Sequence, residues 1–339
     1  MKAVKVEDAV GQILCHDITK IVKGEFKGPV FRKGHVITED DIPVLLSVGK
    51  ETVYIWENDD TVWHENDAAE ILLKMCGTDN MTFSGPREGK IELRAAIDGL
   101  FLVDDERLRS VNSLGDMMIA TVNGGFIVHK GDKLAGMRVI PLVIKKKRME
   151  EAVSLTGSEP ILRLVPLKKK SFAVITTGSE VYHHRIEDTF TPVLEEKLGE
   201  FGCSMIFHEI LDDDPEGITE SIKRAVDAGS EMVFCTGGMS VDPDDKTPLA
   251  IRESGAEIVT YGSPVLPGAM FLVSYYDGKI PVVGLPGCVM YEKRTVFDLV
   301  LPRLLADVPV TKEYIYSLGN GGLCMGCPVC TFPKCGFGK

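Results

Sequence analysis

The sequence predicts an α/β fold: a three-layer, mainly parallel sheet covered on both faces, preceded by smaller mixed, β-rich domains. Three observations predict it. From Lys170 onward, short apolar runs alternate with amphipathic helical stretches, the grammar of a parallel sheet buried on both sides. Before that point, brief extended segments are punctuated by glycine. The chain has 339 residues, 44% of them hydrophobic, which is more than one ordinary core organises.

Within residues 1–60, VGQILCHDI, GPVFRKGHVI and TVYIW read as strands. Thr38 is expected to cap a short helix, with Asp40 and Asp41 in its first turn, Leu45 and Leu46 on its inner face and Gly49 ending it. Residues 65–76, ENDAAEILLKMC, place Ala69, Leu72, Leu73 and Cys76 at helical spacing. Residues 81–143 read as short strands, with Asn123-Gly124-Gly125 as a tight turn. The run KKKR at 145–148 reads as a solvated linker or a helix start.

The regular part follows. SFAVITTG is a buried strand, and TFTPVLEEKLGEFG a helix capped by Asp188 or Thr189 that turns Val193, Leu194, Leu198 and Phe201 inward. CSMIFHEIL is the next strand. Asp214-Pro215 opens a helix with Ile218, Ile222, Ala225 and Val226 on one face. EMVFCTGG is strand then loop, PLAIRESG a short helix, AEIVTYG a strand, AMFLVSYYDGKIPVVGLPG a hairpin-like pair and VMYEKRTVFDLVLPRLLA a closing helix. The expected division is 1–75, 76–170, 171–310 and a cysteine-rich tail at 311–339.

A net charge of −12 disfavours a general nucleic-acid surface. No apolar run approaches the ~20 residues that cross a bilayer, so no membrane span is expected. Acids enter the N-terminal stretch MKAVKVEDAVGQILCHD too early for an export signal, which points to the cytoplasm and away from a disulfide framework.

In an open α/β sheet, ligands bind outside the carboxyl ends of the strands. Three glycine-bearing loops fall there: Thr176-Thr177-Gly178-Ser179-Glu180, Thr236-Gly237-Gly238-Met239-Ser240 and Leu285-Pro286-Gly287-Cys288. Glycine lets a ligand approach the backbone, and successive amides can hold a phosphate or carboxylate. Neither the nucleotide loop G-x-x-x-x-G-K-[ST] nor the dinucleotide pattern G-x-G-x-x-G follows the first of these strands. Asp242, Asp244 and Asp245 would repel a bare phosphate and fit better around a Mg2+ ion, with Asp188 meeting Asp245 across the cleft. The alternative reading makes Asp188, Asp244 and Asp245 helix caps. Asp212, Asp213 and Asp214 read as a capped, solvated turn. In the tail, Cys324, Cys327, Cys330 and Cys335 have the spacing C-x2-C-x2-C-x4-C, which suits a [4Fe-4S] cluster or Zn2+.

The motifs TTGSE at 176–180, Asp188 in RIEDTF, DDDPEGI at 212–218, TGGMS at 236–240 with Asp245, Pro267-Gly268 and LPG at 285–287 together resemble the molybdopterin-binding domain of molybdenum-cofactor biosynthesis proteins. GPVFRKGHVITEDDIPVLLSVGKETVYI resembles the opening segment of the molybdopterin molybdotransferase type. The resemblance implies a cytoplasmic protein, homodimeric, that binds molybdopterin or adenylyl-molybdopterin. Thr176, Thr177, Gly178, Ser179, Glu180, Thr236, Gly237, Gly238, Ser240, Pro267, Gly268, Pro286 and Gly287 would line the pocket, and Asp188 and Asp245 would be catalytic. The implied chemistry is a transferase reaction: cleavage of adenylyl-molybdopterin with insertion of molybdate. Two departures bear on it. Leu266 stands where a basic residue commonly precedes the Pro-Gly loop, and Cys288-Val289 replaces the usual Asn-Pro after LPG. A non-catalytic carrier serving a molybdoenzyme partner is the alternative, and DPDDKTP adds a competence-damage-type pyrophosphatase.

Overall fold

The computed structural model describes residues 1–55, 59–240, 242 and 245–339. The chain divides into two compact units: residues 1–96, 103–122 and 130–163 form the first, and 97–102, 123–129 and 164–339 the second.

In the first unit, Ile18–Val22 and Phe26–Phe31 form an antiparallel hairpin, and Lys2–Lys5 pairs with Thr52–Ile55. A four-stranded sheet follows the order Met81–Phe83, Lys90–Ala95, Lys133–Val139, Met117–Thr121. The helix Glu65–Cys76 matches the expected span and buries Ala69, Leu72, Leu73 and Cys76. The helix near residue 40 spans Asp41–Ser47 and buries Leu45, but Leu46 is 44% exposed. Thr38 does not cap it. Instead Asp41 reaches back and accepts from the amide and hydroxyl of Thr38, both at 2.8 Å. Trp56, the end of TVYIW, lies outside the described residues. The basic run KKKR opens the helix Lys146–Thr156. Asn123-Gly124-Gly125 joins strands of two different sheets and does not close a hairpin.

The second unit is built on a six-stranded sheet. Its strands are β1 (Ser171–Thr177), β2 (Ser204–Leu211), β3 (Met232–Thr236), β4 (Glu257–Tyr261), β5 (Leu272–Tyr276) and β6 (Ile280–Leu285). They lie in the order β2-β1-β3-β6-β5-β4. β2, β1, β3 and β6 are parallel; β5 and β4 add an antiparallel edge. β1 and β3 are apolar through 172–175 and 232–235, as strands covered on both faces must be.

Helices cover the sheet. α1 (Phe190–Gly199) buries Leu194 and Leu198. α2 (Pro215–Asp227) starts where proline predicts, with the Asp214 side chain accepting from the Gly217 amide at 2.9 Å, and buries Ile218, Ile222 and Ala225. α3 (Thr247–Glu253) is short. α4 (Val296–Leu305) begins later than the sequence suggests, because Thr295 and Asp298 form a reciprocal capping box there. The core lies in two layers. One, around Phe172, Phe234 and Phe297, packs α1 and α4 on one face; the other, around Ile175, Ile222 and Ile251, packs α2 and α3 on the opposite face.

Candidate functional site

The register of the four parallel strands decides where the site can be. Thr177 lies beside Leu211, Thr176 beside Thr236, and Thr236 beside Leu285. The loops that follow β1, β2, β3 and β6 therefore emerge at one edge of the sheet. The strand order reverses at β1/β3, the place where open α/β sheets leave a crevice.

The first two loops are built into each other. Thr177 and Thr247 share a hydroxyl hydrogen bond of 3.1 Å, and the Thr247 hydroxyl donates to the Gly237 carbonyl at 2.9 Å. Gly237 has φ +83°, and a Cβ there would sit 2.0 Å from the Thr177 carbonyl oxygen. Gly238, at φ +54°, would place a Cβ 2.8 Å from the Thr247 hydroxyl. Both glycines are thus required by backbone angle and by space. Met239 is buried against Gly284 of β6, and the Tyr261 hydroxyl donates to the carbonyls of Met239 and Ser240 at 2.9 and 3.2 Å. One polar atom at this edge is left over: the hydroxyl of Thr236 is buried without a hydrogen-bond partner.

Asp188 closes one side. The amides of Phe190 and Thr191 donate to its Oδ1 at 2.9 and 3.1 Å, and the hydroxyls of Thr176 and Thr191 donate to its Oδ2 at 2.9 and 2.6 Å. His208 Nε2 lies 3.3 Å from the same Oδ2. Burial pushes the Asp188 carboxyl up, but the hydrogen bonds from Thr191, Thr176 and Phe190 outweigh it and hold the group below the ordinary carboxylate range. A carboxyl depressed in the folded state stabilises the fold above its unfolded pKa of about 3.9, and that stability is lost as pH falls through the folded value. Asp188→Ala is therefore expected to cost about 2 kcal/mol at pH 7, the sum of a lost cap and stranded hydroxyl donors. Urea midpoints at pH 7 and pH 3 check this: the gap from wild type should narrow at the lower pH. The adjacent Thr189 hydroxyl contacts the Met290 sulfur, tying this loop to the third one, where Pro286 precedes the short turn Gly287–Met290.

The other side is acidic. Asp213 accepts from the Ser179 amide at 3.0 Å. Burial pushes its carboxyl up; the Ser179 amide opposes this, and the charges of Asp212, Glu180 and Asp245 add to the rise. Sequence reasoning placed Asp212 and Asp213 in a solvated turn. Only Asp214 acts as a cap, while Asp213 turns to the first loop. The signal was the position of the three acids directly after a strand end on the ligand edge. His208 and Thr247 were likewise missed, because each acts through a neighbour and neither stands in a recognisable motif.

Asp245 accepts from the Asp242 amide at 3.3 Å, and its charge is felt at Asp213 and Tyr261. Among the described residues no hydrogen bond joins it to Asp188. Pro267-Gly268 lies in the connection between β4 and β5 and packs on the start of α4: the Val296 amide donates to the Pro267 carbonyl at 3.1 Å, and a Cβ on Gly268 would lie 2.4 Å from Val296 Cγ1. Leu266 is 55% exposed there.

The expected metals are overturned. Among the described residues there is no group of three or more His, Cys, Asp or Glu side chains placed to hold a metal ion. The Mg2+ expectation at Asp242, Asp244 and Asp245 finds no such group either: Asp245 accepts from the Asp242 amide within its own turn, and Asp244 lies outside the described residues. The [4Fe-4S] or Zn2+ expectation at Cys324, Cys327, Cys330 and Cys335 fails as well: the four line one hollow, but no three of them are placed to share an ion. Cys324 and Cys335 lie against the apolar core, whereas Cys327 and Cys330 are exposed, and all four are free thiols. Apolar packing and backbone hydrogen bonds hold the tail. Phe337 is 3% exposed in the core, Phe332 stacks edge-on with Phe126 at 5.8 Å, and Leu323 bridges to Leu266 beside the Cys324–Leu266 backbone hydrogen bond.

Parts of the chain are similar to known proteins. Residues 173–306 match the family model described as "Probable molybdopterin binding domain", and residues 3–57 match a domain of unknown function, DUF8806. A molybdopterin molybdenumtransferase of Staphylococcus epidermidis is 28% identical over 171 residues, covering 48% of this chain and 37% of that protein. A molybdenum cofactor biosynthesis bifunctional protein of Synechococcus elongatus is 31% identical over 83 residues, 24% of this chain and 26% of that protein. The chain thus spans well under half the length of these relatives. Among solved structures, the molybdopterin biosynthesis enzyme MoaB of Thermus thermophilus aligns at 19% identity and TM-score 0.35, covering 42% of this chain and 97% of that one. No helix among the described residues is long and apolar enough to cross a membrane. The likeness to molybdopterin-binding domains is thus confined to residues 173–306, less than half of the chain.

Proposed function

We propose that this protein binds a phosphorylated pterin of the molybdopterin type at the β1/β3 edge and holds it as a carrier for a molybdoenzyme, without cleaving it. One observation carries the reading: the interlocked pair of loops at Thr177 and Gly237, which puts two glycine-bearing turns and the unpartnered Thr236 hydroxyl at the switch point of the sheet. The ligand's phosphate and pterin amides match that donor set of backbone amides and hydroxyls. The loops tighten around a bound group without needing a side-chain cation.

Retention is favoured over turnover by two features. Asp188 is fully engaged by four donors, which leaves its carboxylate as a support for the first loop. Leu266 supplies no positive charge beside Pro267-Gly268, so no side chain there stabilises charge developing on a leaving phosphate. In this reading residues 171–310 hold the ligand, the segments 1–75 and 76–170 and the tail at 311–339 serve partner contacts, and the working form is a homodimer.

The test is incubation of the full chain with molybdopterin, and separately with adenylyl-molybdopterin plus molybdate. The expected result is pterin retained through gel filtration and passed to an apo-molybdoenzyme, with no AMP released. Molybdate-dependent AMP release would replace the carrier with a molybdotransferase, and hydrolysis of ADP-ribose would replace it with a pyrophosphatase.

A further inference from the structure

The first unit contains a cavity of about 530 Å³ that the site above does not use. It is formed around the hairpin Ile18–Val22/Phe26–Phe31, the start of the helix Glu65–Cys76 and the turn before Lys90–Ala95. Its volume falls within the range of small-molecule sites. Its charge runs against the molecule as a whole. The chain carries −12, yet five Lys and Arg side chains line this cavity against three Asp and Glu.

Three of those cations, Lys27, Arg32 and Arg87, have no ion-pair partner among the described residues. Some other cations of this unit do have partners: Lys90, also in the lining, and Lys133 pair with Glu92, and Arg148 with Asp116 and Glu151. Clustered cations repel one another, so a group of them left facing one hollow lowers its energy when an anion enters. His16 also lines the cavity, and its Nδ1 is a buried polar atom without a hydrogen-bond partner. Leaving such an atom unpaired costs about 1–3 kcal/mol. Glu65, 7% exposed, is the best-buried acid of the lining, and burial pushes its carboxyl up.

We propose that this cavity is a second ligand site, for a phosphorylated small molecule bearing at least two negative charges, with Lys27, Arg32 and Arg87 as its principal anchors. The guanidinium pair gives forked contacts to phosphate oxygens, and Lys27 adds a point charge. Lys27 and Arg32 lie in the segment that matches the domain of unknown function and Arg87 lies beyond it, and the site stands independently of the pterin reading.

Isothermal titration of the full chain with inorganic pyrophosphate, at pH 7 and low salt, tests it. Wild type should bind saturably, and binding should weaken as sodium chloride is raised. Arg32→Gln/Arg87→Gln should lose at least about tenfold in affinity, since each charged hydrogen bond is worth about 1.5–3 kcal/mol. Both side chains are exposed, so the melting temperature should hold, and Lys27→Gln gives a second, smaller loss on the same axis. No binding by wild type, or unchanged affinity in the double variant, overturns the proposal. So does binding that survives Arg32→Gln/Arg87→Gln and disappears in Gly237→Ala, which would put the pyrophosphate in the α/β cleft.

Discussion

Gly237→Ala is expected to abolish pterin retention and to lower stability by about 3 kcal/mol. The residue sits at φ +83°, and its new methyl carbon would lie 2.0 Å from the Thr177 carbonyl oxygen and 2.9 Å from the Thr177 hydroxyl. Neither neighbour can yield. Thr177 ends β1, is 3% exposed and is held through Thr247. The two loops must separate, and the crevice between them loses its walls. Gly229→Ala is the control: it has a similar φ of +88°, but nothing within 4 Å of the added carbon. It should cost only about 1 kcal/mol, the strain of the left-handed backbone alone. Urea midpoints of the two variants separate clash from strain. Equal losses would mean that the loops are not packed as described.

Phe337→Ala is expected to release the C-terminal tail. A buried phenylalanine truncated to alanine costs about 3–5 kcal/mol, and here the loss falls on a segment with few other anchors. Phe337 meets Phe332 at 6.2 Å, and Phe332 in turn packs on Phe126 and under Arg294. Losing ~3 kcal/mol from a local opening equilibrium raises the open population by roughly a hundredfold. Trypsin cleavage after Lys334 should accelerate by that order. A tail nicked no faster than in wild type would show that some other contact holds it.

These two variants mark where sequence reading succeeded and where it stopped. The helix Glu65–Cys76 and the Asp214-Pro215 start of α2 were legible because their signals are local: a run of apolar residues at helical spacing, and a cap followed by proline. The glycine loops were legible as turns at strand ends, since alternation of strand and helix implies a parallel sheet. Leu46 was misplaced because a seven-residue helix packs one narrow face, and neighbouring leucines fall on opposite sides of its edge. Asn123-Gly124-Gly125 reads as a tight turn between two strands, but a turn signal does not say which sheet the next strand joins.

The site was only half legible. Spacing left Asp188 open between a cap and a catalytic or metal role, and the structure surrounds its carboxylate with four donors that no spacing rule lists. In the tail, cysteine spacing implied a shared metal, yet the path of the chain, packed through Phe337 and Phe332, places no three of the thiols to share an ion. The sequence alone determined the order of elements, the buried strands and the loops that could hold an anion, because these depend on neighbours a few residues away. Tertiary structure alone decided which loops interlock, which acids are spent on their own backbone and where unpaired cations gather. Those outcomes turn on strand register and on contacts between residues tens of positions apart, about which local pattern carries no information.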